Sequence, residues 1–454
     1  MLEGCPVLGW AASGGMALTG RADGVPVMSP APAFGLLCAV VSELASVTRD
    51  VGVEVRADPG ELVAGRAALA GWRRRGRVSA GGSARLVRAA DGWCAINLSR
   101  ADDVQAVPAI IGLVGRGGAD GGAGGGRVAG RGSGVDDAWG ALEAAALGTG
   151  AEALAGTAQL LGVPAGALPS TSPVAGLIGS GWAPGRVGRI ASRSAGARLA
   201  GAVVVDLSSM WAGPLCARLL GQAGAEVIKV ETPDRPDGAR AGGRRFFDWL
   251  HGGHRSVVLD FRSASGRRAL GALLAAADVV IEASRPRALA QLGLAPEMIP
   301  HRDGQVWLSI TGYGRGDAAA SELVAFGDDA AVAGGLVGWT GGEPVFCADA
   351  IADPLTGLCG AIAVARSVAD GGGQLIDLSM REVAAGFAAA GPVDHGPHSV
   401  RAVDGVGAAV TCAALGVEQV VLPPAFDGAG AGRAAVRMGA DTSDVLARLG
   451  TGSS

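Results

Sequence analysis

The segment AVVVDLSSMWAGPLCARLLGQAGAEVIKVE, residues 202–231, combines two kinds of local pattern. Its outer runs, AVVVDL and EVIKVE, are short, β-branched and apolar almost throughout, which is typical of strands that are buried on both faces. The run PLCARLLGQAG between them begins at Pro214, and proline is a favourable first residue for a helix. A strand, a helix and a second strand in this order predict a βαβ unit with parallel strands.

The same alternation continues to residue 310. Further strands are predicted at SVVLDF (256–261), DVVIEA (278–283) and QVWLSI (305–310), with SGRRALGALLAAA and PRALAQLG as the helices between them. Repeated βαβ units predict an α/β fold with a doubly wound, mostly parallel, Rossmann-like sheet, whose ligands bind beyond the carboxyl ends of the strands. The loops concerned follow Leu207, Glu231, Asp260, Glu282 and Ile310.

Charge and hydrophobicity argue against binding to nucleic acid and against a membrane span. The chain has 38 basic and 42 acidic residues, a net charge of −4 and a single lysine, Lys229, so it has no polybasic stretch and we expect no nucleic acid. Residues 153–185 carry no charge but contain four prolines, so we expect no membrane span. The first residues include Glu3 and no basic region, which is unlike a signal peptide and favours a cytoplasmic protein.

The seven cysteines do not form a recognisable motif. They are odd in number, scattered and without a CxxC pair, so the sequence predicts neither a disulfide framework nor a metal site. We interpret them as buried apolar side chains in a reducing cytoplasm. They are Cys5, Cys38, Cys94, Cys216, Cys347, Cys359 and Cys412.

Low-complexity segments suggest boundaries within the chain. Residues 116–134, RGGADGGAGGGRVAGRGSG, are so rich in glycine that we expect a flexible insertion. Residues 171–198 mix proline, glycine, serine and arginine without a period and are interpreted as a linker. Residues 199–390 carry the strand and helix pattern, and residues 391–454 are expected to be a C-terminal extension that ends in a helix, DTSDVLARLG.

Two groups of charged residues are candidates for chemistry. In CADAIADPLTGLCGAIAVARSVA, Asp349 and Asp353 interrupt an apolar segment, and Asp353 stands directly before Pro354. Asp353 is therefore either a helix N-cap or a reactive carboxylate. Arg285 and Arg287 follow the fourth strand and would suit a phosphate-rich ligand, although composition alone favours solvated arginines.

Several motifs together resemble a known family. Their order and spacing between residues 201 and 390 are similar to the large domain of class III CoA transferases of the CaiB/BaiF type, relatives of which include formyl-CoA and carnitine CoA transferases and α-methylacyl-CoA racemases. The motifs are VVVDLSSMWAGPLCARLLGQAGAEVIKVE, HRSVVLDFRSASGRRAL, ADVVIEASRPRALAQLGL, WLSITGYGRG, ADAIADPLTGLCGAIAV and GGGQLIDLSM.

The resemblance implies a nucleophile and a CoA site. The nucleophilic aspartate of the family falls on Asp353. Two positions depart from the family, since Trp211 replaces a polar residue beside the nucleophile and Gln291 replaces an arginine that helps to bind CoA. The implied CoA-contacting positions are Trp211, Ala212, Thr232, Leu259, Asp260, Phe261, Arg262, Ala283, Ser284 and Arg285.

The resemblance extends weakly to the N-terminal part. Residues 1–170 resemble the family's small domain, with the glycine-rich insertion inside it, so the chain looks like fused or rearranged partial copies. A second, smaller α+β domain is therefore expected beside the sheet. The resemblance also implies acyl-CoA and a small carboxylic acid as substrates, no tightly bound cofactor, and a homodimer or a pseudo-dimeric monomer.

Three functions remain open at this point. A CoA transferase would pass through an aspartyl mixed anhydride and an enzyme–CoA thioester at Asp353. A racemase of the α-methylacyl-CoA type needs a second acid or base. The family's histidine is missing from SELVAFGDDAAVAGGL, so racemisation would require Asp328 or Asp329 in its place. The third function is a CoA-binding protein without catalysis.

Overall fold

A computed structural model describes residues 4–117, 134–171, 185–405, 407–428 and 433–449. The helices are α1 (Pro6–Ala12), α2 (Ala31–Val51), α3 (Pro59–Ala70), α4 (Ala101–Gly117), α5 (Val135–Ala146), α6 (Ala151–Leu160), α7 (Ala212–Gln222), α8 (Arg244–His251), α9 (Ala264–Ala276), α10 (Pro286–Gln291), α11 (Gly327–Ala333), α12 (Ala352–Ala369), α13 (Met380–Ala388) and α14 (Thr442–Arg448). The strands are β1 (Ala84–Arg88), β2 (Trp93–Asn97), β3 (Ala165–Ala167), β4 (Arg186–Arg189), β5 (Val203–Asp206), β6 (Glu226–Glu231), β7 (Arg255–Val258), β8 (Val279–Glu282), β9 (Val306–Thr311), β10 (Gly338–Thr340), β11 (Glu343–Val345), β12 (Gln374–Ser379), β13 (His398–Val403), β14 (Gly407–Cys412) and β15 (Val417–Val420).

The central sheet has seven strands in the order β4-β12-β9-β8-β5-β6-β7. All neighbours are parallel except the edge strand β4, which runs antiparallel to β12. The predicted α/β class with a mostly parallel sheet is therefore confirmed. The chain goes from β5 outward to β7 and then returns to the other side of β5 as β8. This reversal opens a crevice at the carboxyl ends of β5 and β8, where such sheets hold their ligands.

Helices cover both faces of this sheet because successive strand residues point to opposite sides. Val204 belongs to the core beneath α7 and α12, whereas Val205 belongs to the core beneath α9 and α14. Helix α12 packs against α7 and α2 and is buried over most of its length. The carboxyl edge of the sheet and the first turns of α7 and α12 therefore meet at one place.

The apolar cores divide the N-terminal part of the chain near residue 80. Residues 5–67, which form α1 to α3, share one core with residues 199–421. Residues 87–167 form a separate core between the antiparallel sheet β1-β2-β3 and the helices α4 to α6. The sequence predicted a domain boundary at residue 170, whereas the two apolar cores separate near residue 80. The reason is that the apolar face of α2 packs against α12 and not against the small sheet.

The segments expected to be an insertion and a linker are described only in part. Of the predicted insertion, residues 118–133 lie outside the described residues, and so do residues 172–184 of the predicted linker. The rest of that linker includes β4, which extends the central sheet. The sequence did not predict β4, because this strand is exposed at the edge of the sheet and therefore lacks the apolar residues that mark a buried strand.

Two further features concern α2 and the C-terminal extension. Helix α2 is long and apolar enough to cross a membrane by length and composition, but it packs here against α1, α12 and α13. In the extension, β13, β14 and β15 form an antiparallel sheet that contacts α1. Helix α14 lies against β7, where Asp441 accepts a hydrogen bond from the Ser256 backbone N–H at 2.9 Å.

Candidate active site around Asp353

Asp353 lies in the first turn of α12, which begins one residue earlier at Ala352. Its side chain does not cap that helix. Instead, the backbone N–H of Gly327 donates a hydrogen bond to Asp353 Oδ2 at 3.1 Å, and the backbone N–H of Ala212 also lowers the pKa of the carboxylate. The carboxylate is therefore bound by the start of another helix, and the N-cap interpretation of Asp353 is wrong.

Three helix starts converge on this carboxylate. Ala212 is the first residue of α7 and Gly327 is the first residue of α11, while Asp353 itself is in the first turn of α12. Helix N-termini present unpaired N–H groups and a partial positive charge. These helix starts therefore offset part of the cost of burying a negative charge at this point of the structure.

The close approach of α11 to Asp353 requires a glycine. A Cβ atom at Gly327 would lie 2.4 Å from Asp353 Oδ2 and 2.3 Å from the carbonyl oxygen of Ala350. Both distances are below any real contact of a Cβ atom, and the Ala350 atom belongs to the backbone. Only glycine lets the N–H at this position reach the carboxylate.

Burial raises the pKa of Asp353 to about 6, with the negative charge of Asp349 acting in the same direction. The Arg66 guanidinium and the two backbone N–H groups oppose this rise in pKa. Burial also raises the pKa of Asp328 to about 7, together with the charges of Asp349 and Asp353. Near neutral pH, Asp353 is therefore ionised for the most part, while burial and its acidic neighbours favour the protonated form of Asp328.

The carboxylates of Asp328, Asp349 and Asp353 form an acidic cluster, and Arg66 on α3 is the cation beside it. It donates two hydrogen bonds to Asp349, at 2.8 and 2.6 Å, and both side chains are largely buried. Its guanidinium carbon lies 4.3 Å from the ring centroid of Trp211 and 5.2 Å from that of Trp72. Bidentate pairing and stacking are the contacts that favour arginine over lysine. The N-terminal part of the chain thus supplies the counter-ion of a site on the sheet.

The backbone before Asp353 is strained. Ala348 and Ala350 have φ angles of 53° and 42°, in the left-handed region that residues with a Cβ rarely adopt. They flank Asp349, whose carboxylate faces Arg66. Strain of this kind costs about 1–3 kcal/mol per residue and persists where the surroundings enforce it, commonly at functional sites.

A buried lysine network holds the loop that leads to α7. Lys229 lies 2.9 Å from Asp237 and 3.5 Å from Asp206, and it also donates to the carbonyl oxygen of Ser208. Asp237 accepts a hydrogen bond from the Met210 backbone N–H at 2.9 Å. These contacts fix the segment directly before Ala212. The N–H of Ala212 is therefore oriented before any ligand arrives.

Asp353 lines a cavity of about 430 Å³ at the carboxyl ends of β5, β8 and β9. Four of the predicted CoA-contacting residues line it as well, namely Ala212, Ala283, Ser284 and Arg285. The other predicted positions do not line it. Trp211 is buried beneath Arg66, Leu259 is in the core, and Thr232, Asp260, Phe261 and Arg262 lie after β6 and β7.

Four arginines line the same cavity, and two of them were not identified from the sequence. Arg285 and Arg287 follow β8, whereas Arg235 follows β6 and Arg100 comes from the small-sheet region. Arg100 pairs with Asp103 and Arg287 with Glu322, but in the described parts of the chain Arg235 and Arg285 have no ion-pair partner. Burial and the charge of Arg287 lower the pKa of Arg285, so an anion here would be stabilised by several cations.

Comparison with known proteins finds similarity over the part of the chain that holds this site. Residues 199–414 match CoA-transferase family III. An acyl-CoA transferase of Fusarium pseudograminearum is 33% identical over 215 residues, which are 42% of this chain and 47% of that protein. A succinate–glutarate CoA-transferase of Agrobacterium fabrum is 30% identical over 41% of this chain and 51% of its own length.

Other relatives cover the same part of the chain. The beta subunit of a succinyl-CoA–L-malate CoA-transferase of Chloroflexus aurantiacus is 34% identical over 40% of this chain and 49% of that protein. A solved CaiB/BaiF family protein of Brucella suis is 33% identical over 41% of this chain and 54% of its own, with a TM-score of 0.37. The chain spans about half the length of the curated relatives it matches. The match to CoA-transferase family III is limited to residues 199–414, which are less than half of this chain.

Proposed function

We propose that the protein transfers CoA between an acyl-CoA and a small carboxylic acid, with Asp353 as the nucleophile. The observation that carries this proposal is the position of Asp353, which lines a cavity with a cationic rim and accepts a hydrogen bond from the first residue of α11. The family III domain supports the same reaction class. No tightly bound cofactor is required for it.

The first half of the reaction would move the acyl group to the enzyme. A carboxylate oxygen of Asp353 attacks the thioester carbonyl carbon, the C–S bond breaks, and CoA leaves as a thiolate. The product is a mixed anhydride between the acyl group and Asp353. The thiolate then attacks the aspartyl carbonyl carbon, which releases the first carboxylate and leaves a thioester between CoA and Asp353.

The second half reverses these steps with the acceptor. The acceptor carboxylate attacks the aspartyl thioester, and the thiolate leaves and then attacks the acyl carbon of the new mixed anhydride. The Asp353 carboxylate is released with the acceptor now joined to CoA. Charge and atoms balance without a net proton transfer, so an ionised Asp353 is sufficient at neutral pH.

Backbone N–H groups would stabilise the charged intermediates. The N–H group of Gly327 already donates to Asp353 Oδ2, where negative charge develops when the aspartyl carbonyl is attacked, and the N–H of Ala212 favours the same charge. In other acyl-transfer enzymes one such donor contributes roughly 3–4 kcal/mol. Arg285 and Arg235 would bind the phosphates of CoA through paired hydrogen bonds.

Residues from the N-terminal part would complete the site within one chain. Arg66 and Arg100 belong to the first 170 residues, and they contact the acidic cluster and line the cavity of the same molecule. This arrangement supports the pseudo-dimeric monomer over the homodimer. The cytoplasmic location remains a prediction.

The racemase alternative is weaker on geometry. It requires a second acid or base that reaches the substrate from the opposite side. Asp328 is buried, with 7% of its surface exposed, and its carboxylate accepts a hydrogen bond from the Ala350 backbone N–H. Only Asp353 of the two residues lines the cavity.

Trapping of the covalent intermediate tests the proposal. Incubation with an acyl-CoA and then hydroxylamine is expected to leave a hydroxamate on Asp353, identified by peptide mass spectrometry. Asp353→Ala is expected to give no adduct and no transfer, while the exposed Asp317→Ala serves as a matched control with wild-type behaviour.

The alternatives predict different results in the same experiment. A racemase would incorporate solvent deuterium at the α-carbon of the acyl group without an acceptor acid. A CoA-binding protein would bind CoA and give neither signal. Unchanged turnover in Asp353→Ala would refute the role of this residue.

A further inference from the structure

Two cysteines and two histidines meet at the contact between α1 and the C-terminal sheet. They are Cys5, His395, His398 and Cys412, and one ligand atom from each lies within 4.8 Å of the others. The Cys5 Sγ and His398 Nε2 atoms are 3.2 Å apart. None of the four lines the cavity of Asp353, so the cluster is separate from the proposed active site.

Three different elements position these side chains. His398 begins β13 and lies directly opposite Cys412, the last residue of β14, in the antiparallel register. Side chains of such opposed residues lie on the same face of a sheet, close together. Cys5 is the residue before α1, a helix that packs against β14 and β15. His395 is on the segment that enters β13, three residues before His398.

His395 is oriented in the way that a metal-binding histidine is. Its Nδ1 atom hydrogen-bonds to the Asp394 carboxylate at 2.9 Å, while its Nε2 atom is buried and has no hydrogen-bond partner among the residues that the structure describes. A buried polar atom without a partner normally costs about 1–3 kcal/mol. A histidine that directs one ring nitrogen at a carboxylate and the other at an open position has the arrangement of a metal ligand.

We propose that Cys5, His395, His398 and Cys412 form a structural zinc site. The four ligand atoms of a tetrahedral site with two thiolates and two imidazoles are about 3.3–3.8 Å apart, since Zn–S is about 2.3 Å and Zn–N is about 2.0–2.1 Å. The present separations, up to 4.8 Å, need only side-chain adjustments of about 1 Å to match. Two sulfur and two nitrogen ligands select zinc over magnesium or calcium, which prefer oxygen.

The site would be structural rather than catalytic. Four protein ligands fill the tetrahedral shell and leave no position for water or substrate. Cys5 and Cys412 are buried, with 3% and 0% of their surface exposed, so the ion would be shielded from solvent on that side. The metal would join the segment before α1 to the C-terminal sheet, two parts of the chain that are 407 positions apart (412 − 5).

The sequence spacing does not reveal this site. The two histidines are close to each other in the chain, but the cysteines are at opposite ends and no CxxC pair marks them. The expected absence of a metal therefore rested on local spacing alone. The fold brings the four residues together through the contact of α1 with β14.

Metal analysis of the full-length protein tests the proposal, after removal of any affinity tag and without chelators during purification. Inductively coupled plasma mass spectrometry is expected to find about one zinc ion per chain in the wild type and in Cys38→Ser, a control thiol on α2. The Cys5→Ser/Cys412→Ser double variant is expected to hold less than about a tenth of that amount. Equal zinc in the wild type and the double variant would overturn the proposal, as would a disulfide between Cys5 and Cys412 in the purified protein.

Two further measurements do not depend on the folding of a cysteine variant. Cobalt added to the metal-depleted wild type is expected to give the intense visible bands of tetrahedral coordination and a thiolate-to-cobalt charge-transfer band, and weak octahedral bands instead would overturn the proposal. Asp394→Asn changes an exposed side chain and is expected to weaken zinc binding about 10–100-fold in chelator competition. An unchanged affinity would remove the role assigned to the Asp394–His395 pair.

Discussion

Replacing Asp353 by asparagine is expected to stabilise the fold at neutral pH while it abolishes the proposed transfer. Burial and the charge of Asp349 raise the pKa of Asp353 from its ordinary value of 3.8 to about 6. The folded protein therefore holds a charge that its surroundings disfavour. Asparagine has nearly the same shape, can accept the hydrogen bond from Gly327 through its oxygen, and carries no charge.

The size of the effect follows from the shift in pKa. A difference of about two pKa units corresponds to about 3 kcal/mol, because one unit is worth about 1.4 kcal/mol. This is an upper limit, since Asp353 is only partly buried and solvent in the cavity screens its charge. Between pH 4 and pH 6 the folded state binds more protons than the unfolded state, so the wild type loses stability as the pH rises through this window.

The expected result is a difference that depends on pH. Urea unfolding of the wild type and Asp353→Asn is expected to give nearly equal free energies at pH 4, and a gain for the variant of about 1–3 kcal/mol that is complete above pH 6. The exposed Asp317→Asn is the control and is expected to shift stability by less than about 0.5 kcal/mol at every pH. A variant that is less stable than the wild type at pH 8, or a difference that does not change with pH, would contradict a buried charge at Asp353 that destabilises the fold.

Three other substitutions test separate parts of the site. Gly327→Ala places a Cβ atom 2.4 Å from Asp353 Oδ2 and is expected to reduce transfer by about 100-fold or more in steady-state assays, whereas Gly188→Ala, with no atom within 4 Å of the added Cβ, is expected to be neutral. Arg285→Ala is expected to raise the KM for acyl-CoA about tenfold with a smaller change in kcat, and a kcat loss alone would contradict a binding role. Arg66→Met leaves Asp349 buried without its cation and is expected to cost about 3–5 kcal/mol of unfolding free energy, part of which Asp349→Asn in the same chain restores.

The central sheet could be predicted from the sequence because its inner strands are buried on both faces. The runs that became β5 to β9 are apolar almost throughout, and each is followed by a helix pattern, so local information was sufficient. The edge strand β4 is exposed along its whole length and has no such pattern. Its place depends on pairing with β12, which local sequence does not encode.

The site residues also divide into those that a local motif marks and those that only contacts between distant segments bring together. Asp353 and Arg285 were identified because they stand in motifs that resemble a family, and both line the cavity. Arg66 was missed because its partner Asp349 lies 283 positions away, although an arginine within the apolar run ELVAGRAALA was a signal that it is buried and paired. Arg100 and Arg235 were missed for the same reason, since only the fold brings their separate segments to one cavity.

The charge balance around Asp353 connects the stability of the fold with the proposed reaction. Asp328, Asp349 and Asp353 share one buried cation, Arg66, so an ionised Asp353 is repelled by its neighbours and disfavoured by burial. In the proposed reaction, formation of the mixed anhydride or of the thioester would remove that negative charge from Asp353 and leave Arg66 paired with Asp349. The cost of holding an ionised carboxylate there, up to about 3 kcal/mol, would then be relieved when the covalent intermediate forms. An arrangement that destabilises the resting protein in this way favours the step in which Asp353 becomes covalently bound, because the repulsion is present before that step and absent after it.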